Sequence, residues 1–429
     1  MMTRLRWLAG WTLVPTLLLL QLFDLRKSLF GADDAWSAQL IGFTLILLVG
    51  VPLAWPQRRD ITRLGWFGIG AFTALLGYAL VSALVSGPSL VIGVTMPTVD
   101  PPSVHMSAPM LYRILPIVTA FVSMAAGLVS ILVIPREQRL GRVWWAGILL
   151  LVTSLAVWPR TMAIRNSPRL ATGLAGASVI HVVFLLCMAF FLGALVQGHR
   201  RIASVLAALV SLFCLLMTGS RAGLLILAAF SVLVIAWVGR RAQPRMVLAS
   251  LATLAVAAVV VLMTPARRLL SFSDPWRVIN MRTAVTHWSS DVQSVLLGVG
   301  SGRVWPWYTI ESRYFWSPWG GRLNTPIGRL LPNPHSLPLS VLVELGLVGM
   351  AILLTLVGVL LWRLRLSWLA RTTFDGVPDT LVLALVSTWV AFFFDYYLLK
   401  NFGISYWWWA MFALAFAAPR KEEVAADGL

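Results

Sequence analysis

The stretch "LFCLLMTGSRAGLLILAAF", residues 212–230, places a single arginine, Arg221, between two apolar runs. A guanidinium does not lose its proton in proteins, so a position deep in a bilayer would be costly for it. The sequence offers a solution, because Thr218 and Gly219 suit a tight turn and Ser220 suits the N-cap of a second helix. We therefore predict two apolar helices that meet at a membrane surface, with Arg221 in the first turn of the second helix.

The composition of the whole chain is typical of a polytopic membrane protein. Of its 429 residues, 59% are hydrophobic and 12% are charged, and the mean hydropathy is +0.84. A spanning helix needs about 20 apolar residues. The predicted spans are 5–23, 36–55, 64–86, 110–134, 143–158, 172–196, 202–218, 221–238, 247–264, 336–362, 378–399 and 403–418. We expect a single all-α membrane domain over residues 1–429 with about 12 transmembrane helices, the first a retained helix and not a signal peptide.

Arginines predict the orientation of these spans. The net charge is +18, and every second loop is short and basic, which is the pattern of cytoplasmic loops. We therefore expect both termini in the cytoplasm and no nucleic-acid partner. Several arginines remain on the predicted outer side, where this rule does not explain them: Arg160, Arg165, Arg169, Arg221 and those of the loop 265–335.

Arg221 and the helix that it opens suit an anion. The first turn of a helix presents backbone N–H groups and the positive end of the helix dipole, and a guanidinium adds a two-pronged donor. This combination is a good phosphate receptor. The alternative is that Arg221 simply reaches the lipid headgroups.

A second helix start lies in "LPNPHSLPLSVLVELGLVG", residues 331–349. Here Asn333 is predicted to cap, Pro334 to take the first helical position, and His335 to follow in the first turn. The helix dipole disfavours a charged imidazole, so His335 is expected to be neutral and able to accept a proton as a general base. The alternative is an interfacial histidine bonded to a loop. Glu344 lies on roughly the opposite helix face, where we expect a buried polar contact with another helix.

The region 265–335, between the predicted ninth and tenth spans, is too long for a passive connection. It is predicted to contain an amphipathic helix, capped by Asp274, with Arg282 off its apolar face. That face consists of Val278, Met281, Val285 and Trp288. The following "LLGVGSGR" contains Gly298, Gly300 and Gly302, which allow close backbone approach but indicate phosphate binding only weakly.

The order of these three motifs resembles the O-antigen ligase and O-antigen polymerase superfamily. The similarity runs from about residue 205 to 350, and Arg221, Arg282 and His335 match the functional positions of the family. Ser336 departs from the pattern, since many members have Asn after the histidine. The resemblance implies a C-type glycosyltransferase fold with a large periplasmic loop carrying short helices, in the inner membrane of a Gram-negative bacterium.

The resemblance also implies a reaction, namely transfer of O-antigen from undecaprenyl diphosphate to a sugar hydroxyl of lipid A-core at the periplasmic face. Arg221 and Arg282 would bind the diphosphate, and the otherwise unexplained Arg160 and Arg165 are added to that set. Outer carboxylates are scattered, so we expect no metal or other cofactor, with His335 as base and inversion at the anomeric carbon. An O-antigen polymerase, a protein O-oligosaccharyltransferase and a lipid-linked glycan transporter remain as alternatives.

Overall fold

A computed structural model describes residues 10–21, 35–86, 110–165, 167–239, 278, 281, 284–286, 288–302, 335–369 and 376–418. Apart from a β-bridge between Ile61 and Ala417, these residues form helices and turns. The helices are α1 (Leu13–Gln21), α2 (Ala35–Ala54), α3 (Arg63–Val85), α4 (Met110–Leu132), α5 (Arg136–Arg165), α6 (His181–Val196), α7 (Arg201–Met217), α8 (Arg221–Gly239), α9 (Val292–Leu297), α10 (Leu337–Leu369), α11 (Val377–Phe392) and α12 (Phe402–Ala415), with a 3-10 helix at Trp55–Asp60.

Each predicted span overlaps one of these helices except 247–264, which lies outside the described residues. Among the described residues, five helical segments are long and apolar enough to cross a membrane: Gln39–Asp60, Arg63–Val85, Arg113–Leu132, Arg136–Ala163 and Leu337–Leu369. The helices at His181–Val196, Arg201–Met217, Arg221–Trp237 and Val377–Phe392 are apolar but shorter. The described part of the chain is thus almost entirely α-helical, with helices suited to a membrane, and about 12 crossings stays a prediction.

Several predicted boundaries were wrong; for example, the helix predicted at 378–399 ends at Phe392, and that predicted at 336–362 continues to Leu369. The span predicted from residue 172 becomes helical only at His181, because Gly173 and Gly176 lie in turns, one closed by a hydrogen bond from Val179 N to the Gly176 carbonyl (3.1 Å). Glycine costs helix stability, so this small-residue stretch forms turns before the helix starts. The opposite error occurred at α5, which extends beyond 143–158 to Arg136–Arg165 because its flanking arginines also favour helix.

The centre of the bundle is formed by helices that are buried on every side. All residues of α12 are buried, including Trp407, Trp408 and Trp409, and α12 packs on α4, where Gly127 lets the two backbones meet. Outer helices instead expose large apolar side chains, such as Leu48 at 68%. A helix that is apolar all round belongs inside a bundle, whereas exposed apolar side chains in a membrane protein face lipid.

One end of the bundle, here called the opposite end, holds several arginines predicted for the inner loops, among the residues that the structure describes. Arg139 donates to Asp60 (2.6 Å) and Gln57 (2.9 Å), and Ala418 N donates to the Asp60 carbonyl (2.7 Å). Arg200 stacks over Trp144, with its guanidinium 4.7 Å from the ring centre. The other end, here called the site end, contains the α7–α8 turn and the start of α10.

Candidate functional site

The turn between α7 and α8 has the structure that its sequence predicts. Gly219 has a φ of 55°, and Ser220 Oγ accepts a hydrogen bond from Gly223 N (3.4 Å) as the N-cap of α8. Arg221 is the first residue of α8 and is half-buried. The turn and the cap were therefore predicted correctly, and the guanidinium lies at the helix N-terminus, where an anion is favoured.

Arg169, which the charge pattern left unexplained, supports this turn. Its Nε donates to the carbonyl of Thr218 (2.7 Å), at the C-terminal end of α7, where a cation is favoured. Leu170 N donates to the neighbouring Met217 carbonyl (2.8 Å). These contacts connect the chain after α5 to the turn that precedes Arg221.

Arg160 and Arg165 lie at the same corner of the site end. Arg160 is exposed in the last turns of α5, and its neighbour Thr161 donates to the Ala171 carbonyl (3.1 Å), two residues from Arg169. Arg165 is the last residue of α5, and its side chain lies outside the described part of the chain. The structure thus brings Arg160 and the end of α5 close to the α7–α8 turn.

The start of α10 differs from the prediction. The helix begins at Leu337, and Ser336 acts as its cap: its Oγ accepts from Leu339 N (3.4 Å) and its carbonyl from Ser340 N (2.9 Å). His335 precedes this cap, is half-buried and has a φ of 44°. It is therefore outside the first turn, where we had predicted it; Asn333 and Pro334 lie outside the described residues. Proline at 338, which suits the first turn of a helix, explains the later start.

Residues 298–302, here called the glycine loop, dock onto a break in α10. Gly346 has a non-helical φ of 64°, so the carbonyls one turn before it lose their helical partners. Instead, Val299 N donates to the Val343 carbonyl (2.9 Å) and Gly300 N to the Glu344 carbonyl (3.1 Å). The glycines therefore have a packing role, which places the loop against the first half of α10.

Replacing Gly346 by alanine is expected to destabilise the protein by about 3 kcal/mol, because a positive φ and an overpacked contact each cost about 1–3 kcal/mol. A Cβ there would overlap the backbone of Leu296 and Gly298. Gly358→Ala in the same helix is the control, since a Cβ there meets nothing within 4 Å. Thermal unfolding in detergent measures both. Equal unfolding temperatures for the two variants would contradict this account of the break.

A buried arginine that sequence reasoning missed holds the glycine loop from the other side. Arg113, at the start of α4, is 3% exposed and donates through Nε (3.2 Å) and Nη2 (3.1 Å) to the Ser301 carbonyl. It also donates to the Ser86 carbonyl (3.3 Å) after the end of α3. The sequence did contain a signal of this role, because Arg113 is a charged residue within the predicted span 110–134. A charge is costly in a membrane unless it is hydrogen-bonded or paired.

The segment 393–401, between α11 and α12, connects the start of α10 with the start of α8. Tyr396 packs in a small apolar cluster with Val343 and Leu339 of α10. The hydroxyl of the adjacent Tyr397 lies 3.1 Å from His181 Nε2, and a Cβ on Gly223, in the first turn of α8, would meet the His181 side chain. Arg221 and His335 therefore belong to one end of the bundle, with Tyr396 and Tyr397 between their helices.

The predicted helix in the 265–335 region packs through only part of the expected face. Ala284 is fully buried in the cluster with Tyr396, and Trp288 of the expected face packs against that cluster, whereas Val278 and Val285 are 47% and 43% exposed. The small alanine, rather than the valines, allows close packing against the bundle. Arg282 lies outside the described residues, whereas Ala284 packs next to Val343 of α10.

Carboxylates at the site end are separate from one another. Among the residues that the structure describes, no three His, Cys, Asp or Glu side chains lie together as a metal site would need. Asp291 caps α9, and its carboxylate accepts from Ser294 N (2.8 Å) and Ser294 Oγ (2.7 Å). These hydrogen bonds hold the pKa of the Asp291 carboxyl below its ordinary value, so it serves the fold as a charged cap.

The family comparison agrees with this arrangement. Residues 206–354 match the family model described as O-antigen ligase, which covers about a third of the chain. The matched region runs from α7 through α8, α9 and the glycine loop to the break in α10. No curated protein matches the chain. The match includes both Arg221 and His335 as well as the elements that position them, so this part of the chain is similar to the O-antigen ligase family.

Proposed function

We propose that the protein is an O-antigen ligase, which transfers O-antigen glycan from undecaprenyl diphosphate to a sugar hydroxyl of lipid A-core during lipopolysaccharide biosynthesis. The observation that carries the proposal is the pairing of two helix starts within the matched region. Arg221 opens α8 at one of them, and His335 precedes α10 at the other, at the same end of the bundle.

Arg221 is proposed to bind the diphosphate of the donor, together with Arg282, Arg160 and Arg165. Breaking the bond between sugar and diphosphate adds negative charge to the leaving group, and fixed cations stabilise that charge as it develops. The N-terminus of α8 contributes its dipole at the same point. Arg160 supports the assignment because it lies at the corner next to the α7–α8 turn.

His335 is proposed to remove the proton from the acceptor hydroxyl as it attacks the anomeric carbon. A single displacement of this kind inverts the configuration of that carbon, and the arginines replace the metal ion that would otherwise neutralise the diphosphate. The positive φ of His335 turns the chain just before α10, which sets the imidazole apart from the helix. Half-burial leaves the side chain accessible to a substrate.

The site end is proposed to face the periplasm of a Gram-negative inner membrane, with both termini in the cytoplasm. Arg58, Arg139, Arg200 and Arg201, which belong to the predicted inner loops, lie at the opposite end. Short basic loops favour the cytoplasmic side. This assignment places the donor diphosphate, the acceptor and His335 on one side of the membrane.

Reconstituted protein is expected to move glycan from undecaprenyl diphosphate onto rough lipopolysaccharide at the same rate with and without EDTA. The acceptor product is separated on a gel. Loss of transfer in EDTA that returns with a divalent cation would contradict the metal-free scheme. A lengthened donor without modified lipid A-core would instead identify a polymerase, and an unmodified donor that crosses the bilayer would identify a transporter.

A further inference from the structure

Arg200 lies at the opposite end of the bundle, where two indole rings support its guanidinium. The guanidinium carbon is 4.7 Å from the ring centre of Trp144 and 4.8 Å from that of Trp145. A cation over a ring interacts with the face of the ring, so this contact uses none of the five N–H donors. Among the described residues, none of these donors has a hydrogen-bond or ion-pair partner, and the side chain is exposed. The guanidinium can therefore bind an anion.

The protein holds this guanidinium in place before any ligand binds. Arg200 has a φ of 43°, a conformation that is uncommon for a residue other than glycine, and it directly precedes α7. Trp144, which carries one of the two rings, donates through Nε1 to Ser204 Oγ (3.0 Å) on α7. The guanidinium thus lies on an aromatic support that is bonded to the following helix. A donor that is already ordered in this way loses less entropy when a ligand binds.

An apolar groove runs from Arg200 along the outside of the bundle, between α5 and α7. Both helices begin at the opposite end, and they meet again further along, where the ring centres of Trp158 and Phe213 are 6.2 Å apart. Between these two contacts, both helices expose large apolar side chains. The α5–α7 groove, as we call this surface, is lined by Trp145, Val152, Ile202, Leu206, Leu209 and Phe213, each of which is at least 46% exposed.

The length of the α5–α7 groove fits one acyl chain of a phospholipid. Ile202, Leu206, Leu209 and Phe213 follow one face of α7, and the first and last of them are about 16 Å apart along the helix axis. The hydrocarbon of one leaflet is about 15 Å thick, which is half of the bilayer core. An acyl chain in the groove therefore places its headgroup at the level of Arg200, where the charges of phosphate and guanidinium are complementary.

We propose that the α5–α7 groove binds one anionic phospholipid, whose phosphate accepts hydrogen bonds from Arg200 and whose acyl chain lies on the exposed face of α7. The planar guanidinium suits two oxygens of one phosphate. A headgroup such as glycerol, which carries no cation of its own, leaves the lipid with a net negative charge. This inference does not depend on the proposed function, because Arg200 precedes α7 at the end of the bundle opposite to Arg221 and His335.

Two other ligands match these features less well. A free phosphate would satisfy the donors of Arg200 but would leave the apolar side chains of the groove uncovered. A zwitterionic phospholipid would cover those side chains, but the cation in its headgroup offsets the attraction between its phosphate and Arg200. An anionic phospholipid satisfies both the donors and the apolar surface.

The test is lipid binding to the full chain in detergent, measured by native mass spectrometry during titration with phosphatidylglycerol or with phosphatidylcholine. We expect Arg200→Gln to lower the affinity for the first bound phosphatidylglycerol about fivefold, because one arginine near a membrane surface contributes about that much. The affinity for phosphatidylcholine should change less. Arg58→Gln is the matched control, since Arg58 also lies over a ring, that of Trp55 (4.6 Å), but already donates to the Trp55 carbonyl (2.9 Å).

Three outcomes of this titration would overturn the proposal. Equal losses in Arg200→Gln and Arg58→Gln would mean that only the overall surface charge attracts the lipid. Equal losses for the two lipids in Arg200→Gln would mean that the net charge of the headgroup is not recognised. Displacement of phosphatidylglycerol by an equal concentration of glycerol 3-phosphate would assign Arg200 to a free phosphate.

Trp145→Leu tests the aromatic support and covers the case in which Arg200→Gln does not fold. Trp145 is 46% exposed, so leucine keeps an apolar side chain at the groove and removes one of the two rings beside Arg200. We expect the affinity for phosphatidylglycerol to fall about threefold, which is the usual contribution of one exposed cation–ring contact. A wild-type affinity in Trp145→Leu would overturn the proposal. None of these measurements uses glycan transfer, so their failure and the failure of the proposed function are separate results.

Discussion

Replacement of His335 by glycine is expected to lower kcat for glycan transfer about 10²- to 10⁴-fold, which is the usual contribution of a general base. Glycine is the informative substitution because His335 has a φ of 44°, a conformation that glycine adopts without strain. The variant therefore removes the imidazole and keeps the backbone. Transfer is measured with reconstituted protein, undecaprenyl-diphosphate glycan and rough lipopolysaccharide.

Two further variants separate loss of the base from backbone strain. His335→Asn keeps a residue that tolerates positive φ, and we expect it to be as inactive as the glycine variant. His199→Ala removes a histidine at the opposite end, next to Trp144, and should keep at least half of the wild-type rate. If His335→Gly retained full activity while a strained alanine variant lost it, the position would matter for its backbone only, and another group would be the base.

Arg221→Gln is expected to lower kcat/KM about 10²- to 10³-fold, because a fixed donor to developing charge contributes that much to catalysis. Arg201→Gln is a closely matched control. Both arginines are the first residue of an apolar helix, but Arg201 opens α7 at the opposite end. The two substitutions remove the same charge from the same helical position. A difference in kcat/KM between them therefore comes from the end of the bundle at which the arginine lies.

Arg221→Lys adds a test of geometry. Lysine keeps the charge but loses the planar pair of donors, so we expect an intermediate loss if Arg221 binds a diphosphate oxygen pair. Equal losses in Arg221→Gln and Arg201→Gln would mean that both arginines act through the fold or the membrane surface. The proposed diphosphate site would then have to exclude Arg221.

The sequence predicted those parts of the fold that depend on neighbouring residues. The turn at Gly219 and the Ser220 cap need only the side chains within four positions, and both were predicted correctly. The positions of the apolar helices were also predicted, since hydropathy over about 20 residues determines them. The resemblance to the O-antigen ligase superfamily was recognised from three short motifs that lie inside the matched region.

Features that depend on contacts between distant residues were not predicted. Nothing near Gly346 in the sequence shows that α10 breaks there, because the hydrogen bonds that compensate the break come from Val299 and Gly300. Arg113 likewise bonds Ser301, which is distant in sequence. The choice of Ala284 over the valines as the buried residue depends on the shape of the surface that receives it.

The docking of the glycine loop onto α10 also determines how freely the intervening chain can change in length. Val299 and Gly300 are bonded to Val343 and Glu344, so the stretch 303–334 begins and ends at two points that the protein holds together. Closing a chain between fixed points costs only about 0.6 kcal/mol more for each doubling of its length. We therefore expect insertions and deletions between these points to leave α10 and the preceding His335 in place, so the length of this stretch can vary without disturbing the proposed base.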